Sequence, residues 1–243
     1  MMIFIILAAG MGVRASSHLS NCPKVLLKAG NGRSLLVNML DRIQESHPGN
    51  PQIRVVAGFL HEQVLAEVNN YSQVHPNVNI KVVVNEIYER GVITSLFRGL
   101  RDVNTDVVIL NGDTYYPGQL FSNLSGLSRS TLLVLPSDDQ PDSVRVNTED
   151  GQIIQVGKRL VEFNYISTGC LYLEKPHVNL VENKLSDLIE QNAFEGMIWH
   201  NVINLLIQQG VKIDLKLIQV GQIFEIDTKE DYQNFLTGMT EPG

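Results

Sequence analysis

Apolar residues fall along this chain in short continuous runs, and stretches of helical period separate them. Met2–Ala8 is an unbroken apolar run, which predicts a strand buried on both faces. Ser34–Ser46 places Leu35, Leu36, Met39, Leu40 and Ile43 on one side of a helix, and Pro48-Gly49-Asn50-Pro51 breaks it. Ile53–Ala57 then reads as a strand, Glu62–Val68 as a helix, Val78–Val84 as a strand, and Thr94–Leu100 as a helix with Thr94 at its start. Asp106–Leu110 is a further buried strand, ending at Asn111-Gly112-Asp113. A polar helix or coil begins at Pro117, and Leu132–Leu135 is the next strand. This alternation predicts an α/β fold: a Rossmann-like domain with a mostly parallel mixed sheet and helices on both faces.

From residue 136 the pattern changes. Ser143–Asn147 and Gln152–Val156 flank Glu149-Asp150-Gly151, which signals a β-hairpin inserted into the fold. Ser167–Leu173 is strand-like, and Val178–Gln191 and Met197–Gln209 have helical spacing, the second closing at Gly210. Ile213–Val220 reads as a strand, and Phe224-Glu225-Ile226-Asp227 leads into a helix starting near Thr228. No repeat or low-complexity linker divides the chain, so residues 1–243 read as one domain.

Composition narrows the partners. Of 243 residues, 44% are hydrophobic and 19% charged, enough for a sizeable core and too apolar for disorder. The formal net charge of −7 argues against a nucleic-acid partner, which favours a basic face. No run of apolar residues is long enough for a membrane span, and Met2–Ala9 lacks the basic leader of a signal peptide. The two cysteines, Cys22 and Cys170, offer neither a metal spacing nor a disulfide framework and suit a reducing cytoplasm.

The first strand empties into Leu7-Ala8-Ala9-Gly10-Met11-Gly12-Val13-Arg14, with Pro23-Lys24 close behind. Backbone N–H groups of such a glycine-rich turn can converge on phosphate oxygens, and an arginine and a lysine can neutralise a polyphosphate. The run resembles the signature of the nucleotidyltransferase (NTP-transferase) superfamily, Leu-x-Ala-Gly-x-Gly-x-Arg followed by Pro-Lys. Gly10 to Ala15 also fits the dinucleotide fingerprint Gly-x-Gly-x-x-Ala, and such glycines can serve packing alone. Against a dinucleotide fold, the second strand ends in Gly58-Phe59 without the acidic residue that would meet a ribose.

The resemblance implies roles at other positions. The superfamily places a magnesium-binding aspartate at a Gly-Asp step after a buried strand, here Asp113. The Ile226-Asp227-Thr228-Lys229-Glu230-Asp231 stretch is similar to one whose first aspartate supplies a second metal ligand, here Asp227. Thr228 with Asp231 also reads as a helix cap, which would fix the loop presenting Asp227. Leu7, Ala8, Ala9, Gly10, Gly12, Asn85, Ser95 and Asn111 are implied to bind nucleotide, Arg14 and Lys24 to be catalytic, and Lys158, Tyr165 and Gly169 to bind the acceptor. Lys158 can equally be an exposed strand-end lysine.

Asn85, Tyr88 and Ser95-Leu96 resemble the choline-phosphate cytidylyltransferase branch. Val92-Ile93-Thr94 stands where that branch carries paired asparagines, and Ser95-Leu96 with Gly99-Leu100 also resembles molybdopterin nucleotidyltransferases. Glu162, Tyr165, Tyr115, Tyr116 and Trp199 could form an acidic-aromatic cage for a quaternary ammonium or be scattered packing residues. The six histidines show no ligand spacing.

The resemblance therefore implies a cytoplasmic, magnesium-dependent nucleotidyltransferase. Its N-terminal half would bind an NTP, CTP by preference, and about 136–220 a small phosphorylated alcohol such as phosphocholine, or a phosphonate. A homo-oligomer is compatible with this. A sugar 1-phosphate with UTP, GTP or dTTP is the alternative within the class, and a non-catalytic nucleotide sensor the alternative outside it.

Overall fold

A computed structural model describes residues 2–11, 21–137, 142–219 and 221–238. Its strands are β1 (Met2–Ala8), β2 (Gln52–Ala57), β3 (Asn79–Val84), β4 (Asp106–Asn111), β5 (Thr114–Tyr115), β6 (Thr131–Pro136), β7 (Arg145–Glu149), β8 (Gln152–Gly157), β9 (Tyr165–Leu173), β10 (Asp214–Leu217) and β11 (Phe224–Glu225). The helices are α1 (Leu35–Ser46), α2 (His61–Val74), α3 (Val92–Leu100), α4 (Gly118–Ser122), α5 (Lys175–Glu190), α6 (Asn201–Gln208) and α7 (Lys229–Gly238).

Nine strands form one sheet in the order β3-β2-β1-β4-β9-β6-β10-β8-β7. β3, β2, β1 and β4 pair in parallel, as a βαβ alternation requires. The other half departs from the expected mostly parallel sheet. β9 runs antiparallel between β4 and β6, and β8 runs antiparallel to both β7 and β10. The reversal at β7 and β8 follows from their short connection, because a tight turn can only join antiparallel strands. Asp150 (φ 49°) and Gly151 (φ 74°) make that turn, the left-handed pair that a two-residue hairpin favours.

The continuous apolar run of β1 is explained by burial on both faces. Ile3 and Ile5 point to a core shared with α3, α5 and α6, and Phe4 and Ile6 to one shared with α1, α2 and α4. The expected polar character from Pro117 onward is corrected: Leu120 and Phe121 of α4 are fully buried. Ser34 caps α1, its hydroxyl accepting the Val37 N–H at 3.1 Å. Thr94 does not start its helix. Gly91 precedes α3, and the Thr94 hydroxyl donates back to the Gly91 carbonyl at 2.8 Å.

A third, smaller core joins the chain ends. Leu27, Ala29 and Leu35 pack with Ile226 and Phe235 of the C-terminal segment. β11 pairs antiparallel with β5, and the Ile226 N–H donates to the Asp113 carbonyl at 2.9 Å. This pairing carries Asp227 to the C-terminal edge of the parallel strands, where ligands of open α/β sheets bind.

Candidate active site

The site is assembled where β1 and β4 end side by side. The Gly112 N–H donates to the Leu7 carbonyl at 3.0 Å. A Cβ at Gly112 would lie 2.5 Å from that same oxygen and 3.0 Å from the Ala8 Cα. The glycine of Asn111-Gly112-Asp113 is therefore a close-approach glycine, which lets Asp113 leave β4 directly over the end of β1. Gly112→Ala is expected to destabilise the fold by about 1–3 kcal/mol, as overpacking against backbone does. A urea melt with an unchanged midpoint would contradict this reading.

Lys24 opens a 3-10 turn, Lys24–Leu26, behind Pro23. Its ammonium donates to Asp227 Oδ1 at 2.6 Å and reaches Asp113 Oδ2 at 3.4 Å. Three residues from three distant parts of the sequence thus meet at one point. Only 13% of the Lys24 side chain is exposed. Burial alone would lower its pKa, but Asp113 and Asp227 outweigh it and hold the ammonium charged. Crowding by protein raises the Asp113 pKa; Lys24 opposes the rise and Asp227 adds to it.

The expected cap at Thr228 is present. The Thr228 N–H donates to Asp231 Oδ2 at 2.6 Å, and the Asp231 N–H returns a bond to the Thr228 hydroxyl at 3.1 Å. Asp231 Oδ2 also accepts the Asp227 N–H at 3.0 Å, so the cap fixes the backbone that presents Asp227.

Two hollows open beside this centre and share Asn111, Val144, His200 and Glu225. The first is lined by Leu7, Ala9, Gly10, Ser95, Asp113, Lys158 and Trp199. The second is lined by Ser137, Ser143, Ser167, Thr168 and Gly169. Ala8 faces a smaller recess with Lys24 and Asp113. Most residues expected to bind nucleotide thus converge with Lys158, and Gly169 lies on the opposite side of the junction. Gly12 and Arg14 lie outside the described residues.

Two expected contacts are placed differently. Asn85 is fully buried, with its amide donating to the Thr94 and Ser95 hydroxyls, each at 2.9 Å, so it supports the wall rather than facing the hollow. Tyr165 lies on β9 opposite Val146 and packs against the core, lining neither hollow. The aromatic cage is not assembled either. Tyr116 is buried with its hydroxyl donating to the Gly169 carbonyl, Tyr115 packs on Phe235, and of the five only Trp199 lines the cleft.

Two site residues were missed from the sequence. His200 is 3% exposed, stacks on Trp199 with ring centroids 3.8 Å apart, and meets the Ser167 hydroxyl at 2.9 Å. Burial, helped by the charge of Lys158, pushes its pKa down to about 3, so it is neutral near pH 7. The sequence offered only six histidines without spacing, and no periodicity marks this stack. Glu225 sits within the motif that carries Asp227 and read only as a strand residue. Crowding in the cleft and the charges of Asp113 and Asp227 push its carboxyl up to about 7. Cys22 and Cys170 are free, and burial pushes both thiols up, away from nucleophilic use.

Asp113 and Asp227 supply oxygen donors that converge on one cation, the set a hard divalent ion takes. Magnesium in particular is held by one or two carboxylates with substrate phosphates completing its shell. Among the described residues no group of three or more His, Cys, Asp or Glu forms a closed metal cage. No helix among them is long and apolar enough to cross a membrane.

Comparison with known proteins bears on the fold and the family. The chain is 22% identical to the choline-phosphate cytidylyltransferase of Streptococcus pneumoniae (strain ATCC BAA-255 / R6), over 94% of each protein. Its fold matches a solved CTP:phosphocholine cytidylyltransferase from Streptococcus pneumoniae with a TM-score of 0.80, at 20% identity, covering 97% of this chain and 98% of that one. It matches an inositol-1-phosphate CTP transferase from T. maritima with a TM-score of 0.77, at 21% identity, covering 98% and 96%. Residues 4–190 match the model of the MobA-like NTP transferase domain, a range that takes in the glycine-rich strand end, Lys24, Asp113 and the β7–β8 hairpin alike; the chain belongs to that nucleotidyltransferase family.

Proposed function

We propose that this protein transfers a cytidylyl group from CTP to a small phosphorylated alcohol such as phosphocholine, or to a phosphonate, and releases pyrophosphate. The observation that carries the reading is the Lys24 ammonium held between Asp113 and Asp227 at the end of β1. The chain works as one domain, with its N-terminal half holding the nucleotide and about 136–220 the acceptor, in the cytoplasm.

A phosphoryl oxygen of the acceptor attacks the α-phosphorus in line, a new P–O bond forms, and the bond from the α-phosphorus to the bridging oxygen breaks. The attacking oxygen is already anionic near neutral pH, so no general base is required. Positioning and charge neutralisation carry the catalysis. The backbone of Leu7, Ala8, Ala9, Gly10 and Gly12 approaches the triphosphate, and Arg14 holds the β- and γ-phosphates that leave. Lys24 stabilises the charge that grows on the α-phosphate. Asp113 and Asp227 would hold magnesium, whose charge offsets that of the departing pyrophosphate. Ser95 lines the nucleotide side with Asn85 behind it; Lys158 meets the acceptor phosphate from that same hollow, and Gly169 lies on the acceptor side of the junction.

The resemblance of the Asn85, Tyr88 and Ser95-Leu96 region favours CTP, and the relatives named for CTP support it. A pyrophosphate-release screen tests this, with four NTPs against phosphocholine, other phosphorylated alcohols, phosphonates and sugar 1-phosphates. CTP with a phosphorylated alcohol or phosphonate is expected to give the highest kcat/KM. Higher kcat/KM for UTP, GTP or dTTP with a sugar 1-phosphate would overturn the branch, and release with none would leave a sensor.

A further inference from the structure

Asn111 stands where the two hollows meet, and its side-chain amide has one orientation. The Trp199 indole N–H lies 2.6 Å from Asn111 Oδ1. An indole nitrogen can only donate, so Asn111 must turn its oxygen to Trp199 and its NH₂ group away. The NH₂ group lies against Gly169, where a Cβ would approach Asn111 Nδ2 to 2.7 Å. Gly169 holds φ at +75°, so its backbone and its missing side chain both make room for that amide.

The two ends of this amide face different hollows. Trp199 lines only the nucleotide side, and Gly169 only the acceptor side. Asn111 Nδ2 makes no hydrogen bond to another described residue. The acceptor hollow has no lysine or arginine in its described lining, and His200 within it is neutral near pH 7. An anionic acceptor entering it must therefore be gripped by neutral donors, the hydroxyls of Ser137 and Ser143 or N–H groups at the junction, with Lys158 beyond it on the nucleotide side. Asn111 is the side chain that presents such donors there already oriented.

We infer that Asn111 donates to a phosphoryl or phosphonate oxygen of the acceptor, and that Trp199 is the positioning residue that fixes this orientation. The inference rests on the proposed nucleotidyl transfer and moves Asn111 from the nucleotide to the acceptor. It also gives the unassembled aromatic cage a different use for its one cleft residue: Trp199 acts through its N–H rather than its ring face.

Asn111→Asp separates this from a structural role. A carboxylate still accepts the Trp199 N–H, so the packing is kept, but both donors are lost and a charge faces the acceptor. With the acceptor that gives most pyrophosphate in the screen, KM for that acceptor is expected to rise about tenfold or more, the scale of losing a hydrogen bond to a charged group. KM for CTP is expected to stay unchanged. Trp199→Phe frees the amide to turn over and is expected to raise the acceptor KM as well. The double variant is expected to be no worse than Asn111→Asp, because both oxygens of a carboxylate are equivalent and orientation no longer matters. An unchanged acceptor KM in Asn111→Asp overturns the inference alone, as does an equal rise in both KM values. Losses from Trp199→Phe that add in full to those of Asn111→Asp overturn the positioning role. Absence of pyrophosphate release from the unaltered protein with every acceptor overturns the proposed function and this inference with it.

Discussion

Asp113→Asn and Asp227→Asn are each expected to abolish turnover, and the double variant to be little worse than either. The two carboxylates lie more than a hundred residues apart in the sequence, and the β5–β11 pairing and the Thr228–Asp231 cap bring them to one ammonium. Groups that act as one unit do not lose activity additively, since removing either member removes the function of both. Stability should separate from activity in this series. Two bare carboxylates would repel each other, but Lys24 lies between them and offsets that repulsion. Each single variant leaves Lys24 one carboxylate and should melt near the unaltered protein. The double variant strands an ammonium whose side chain is only 13% exposed, and it should melt lower. Steady-state kinetics at varied magnesium, with thermal melts on the same samples, check both halves. Full activity in Asp227→Asn would leave that residue only its place beside the helix cap.

Lys24→Ala is expected to lower kcat by about 10²-fold or more, the scale of losing one preorganised transition-state donor. Nucleotide affinity should fall less, because the charge that Lys24 meets grows as the reaction proceeds. A second effect follows from the same geometry. The Asp113 pKa is already raised, and Lys24 is the group that opposes the rise. Without it, the Asp113 carboxyl loses the charge that opposes the rise, and in the metal-free protein its protonation moves to higher pH. The Asp113 titration of the metal-free protein, followed by NMR, should therefore shift upward in Lys24→Ala. A variant with ordinary kcat would remove Lys24 from the mechanism.

Much of this site is legible in the sequence because its chemistry sits where buried strands stop. The continuous apolar runs of β1 and β4 mark strands buried on both faces, and the polar residues just past their ends are the ones a parallel sheet offers to a ligand. Asp150-Gly151 marks the hairpin because its left-handed backbone favours those residue types. What escaped depends on contacts remote in sequence. β5 and β11 are two residues long and carry no period, yet their pairing is what joins Asp227 to Asp113. The helix expected from Met197 begins at Asn201, whose side chain accepts the Ile198 N–H at 2.8 Å and holds the preceding turn out of the helix. That turn is what stacks His200 on Trp199. The strand expected over 213–220 is ordered as β10 over Asp214–Leu217 only, with Val220 outside the described residues.

The central claim is that the group transferred is the nucleotidyl moiety and that Asp113, Asp227 and Lys24 serve its transfer. Isotope tracing with CTP labelled separately at the α- and γ-phosphorus, in the presence of magnesium and the best acceptor, tests it most directly. The account predicts α-label in the acceptor product and γ-label in pyrophosphate, with both transfers lost when a chelator removes the metal. Appearance of γ-label in the acceptor product would instead mean phosphoryl transfer, and would contradict the account.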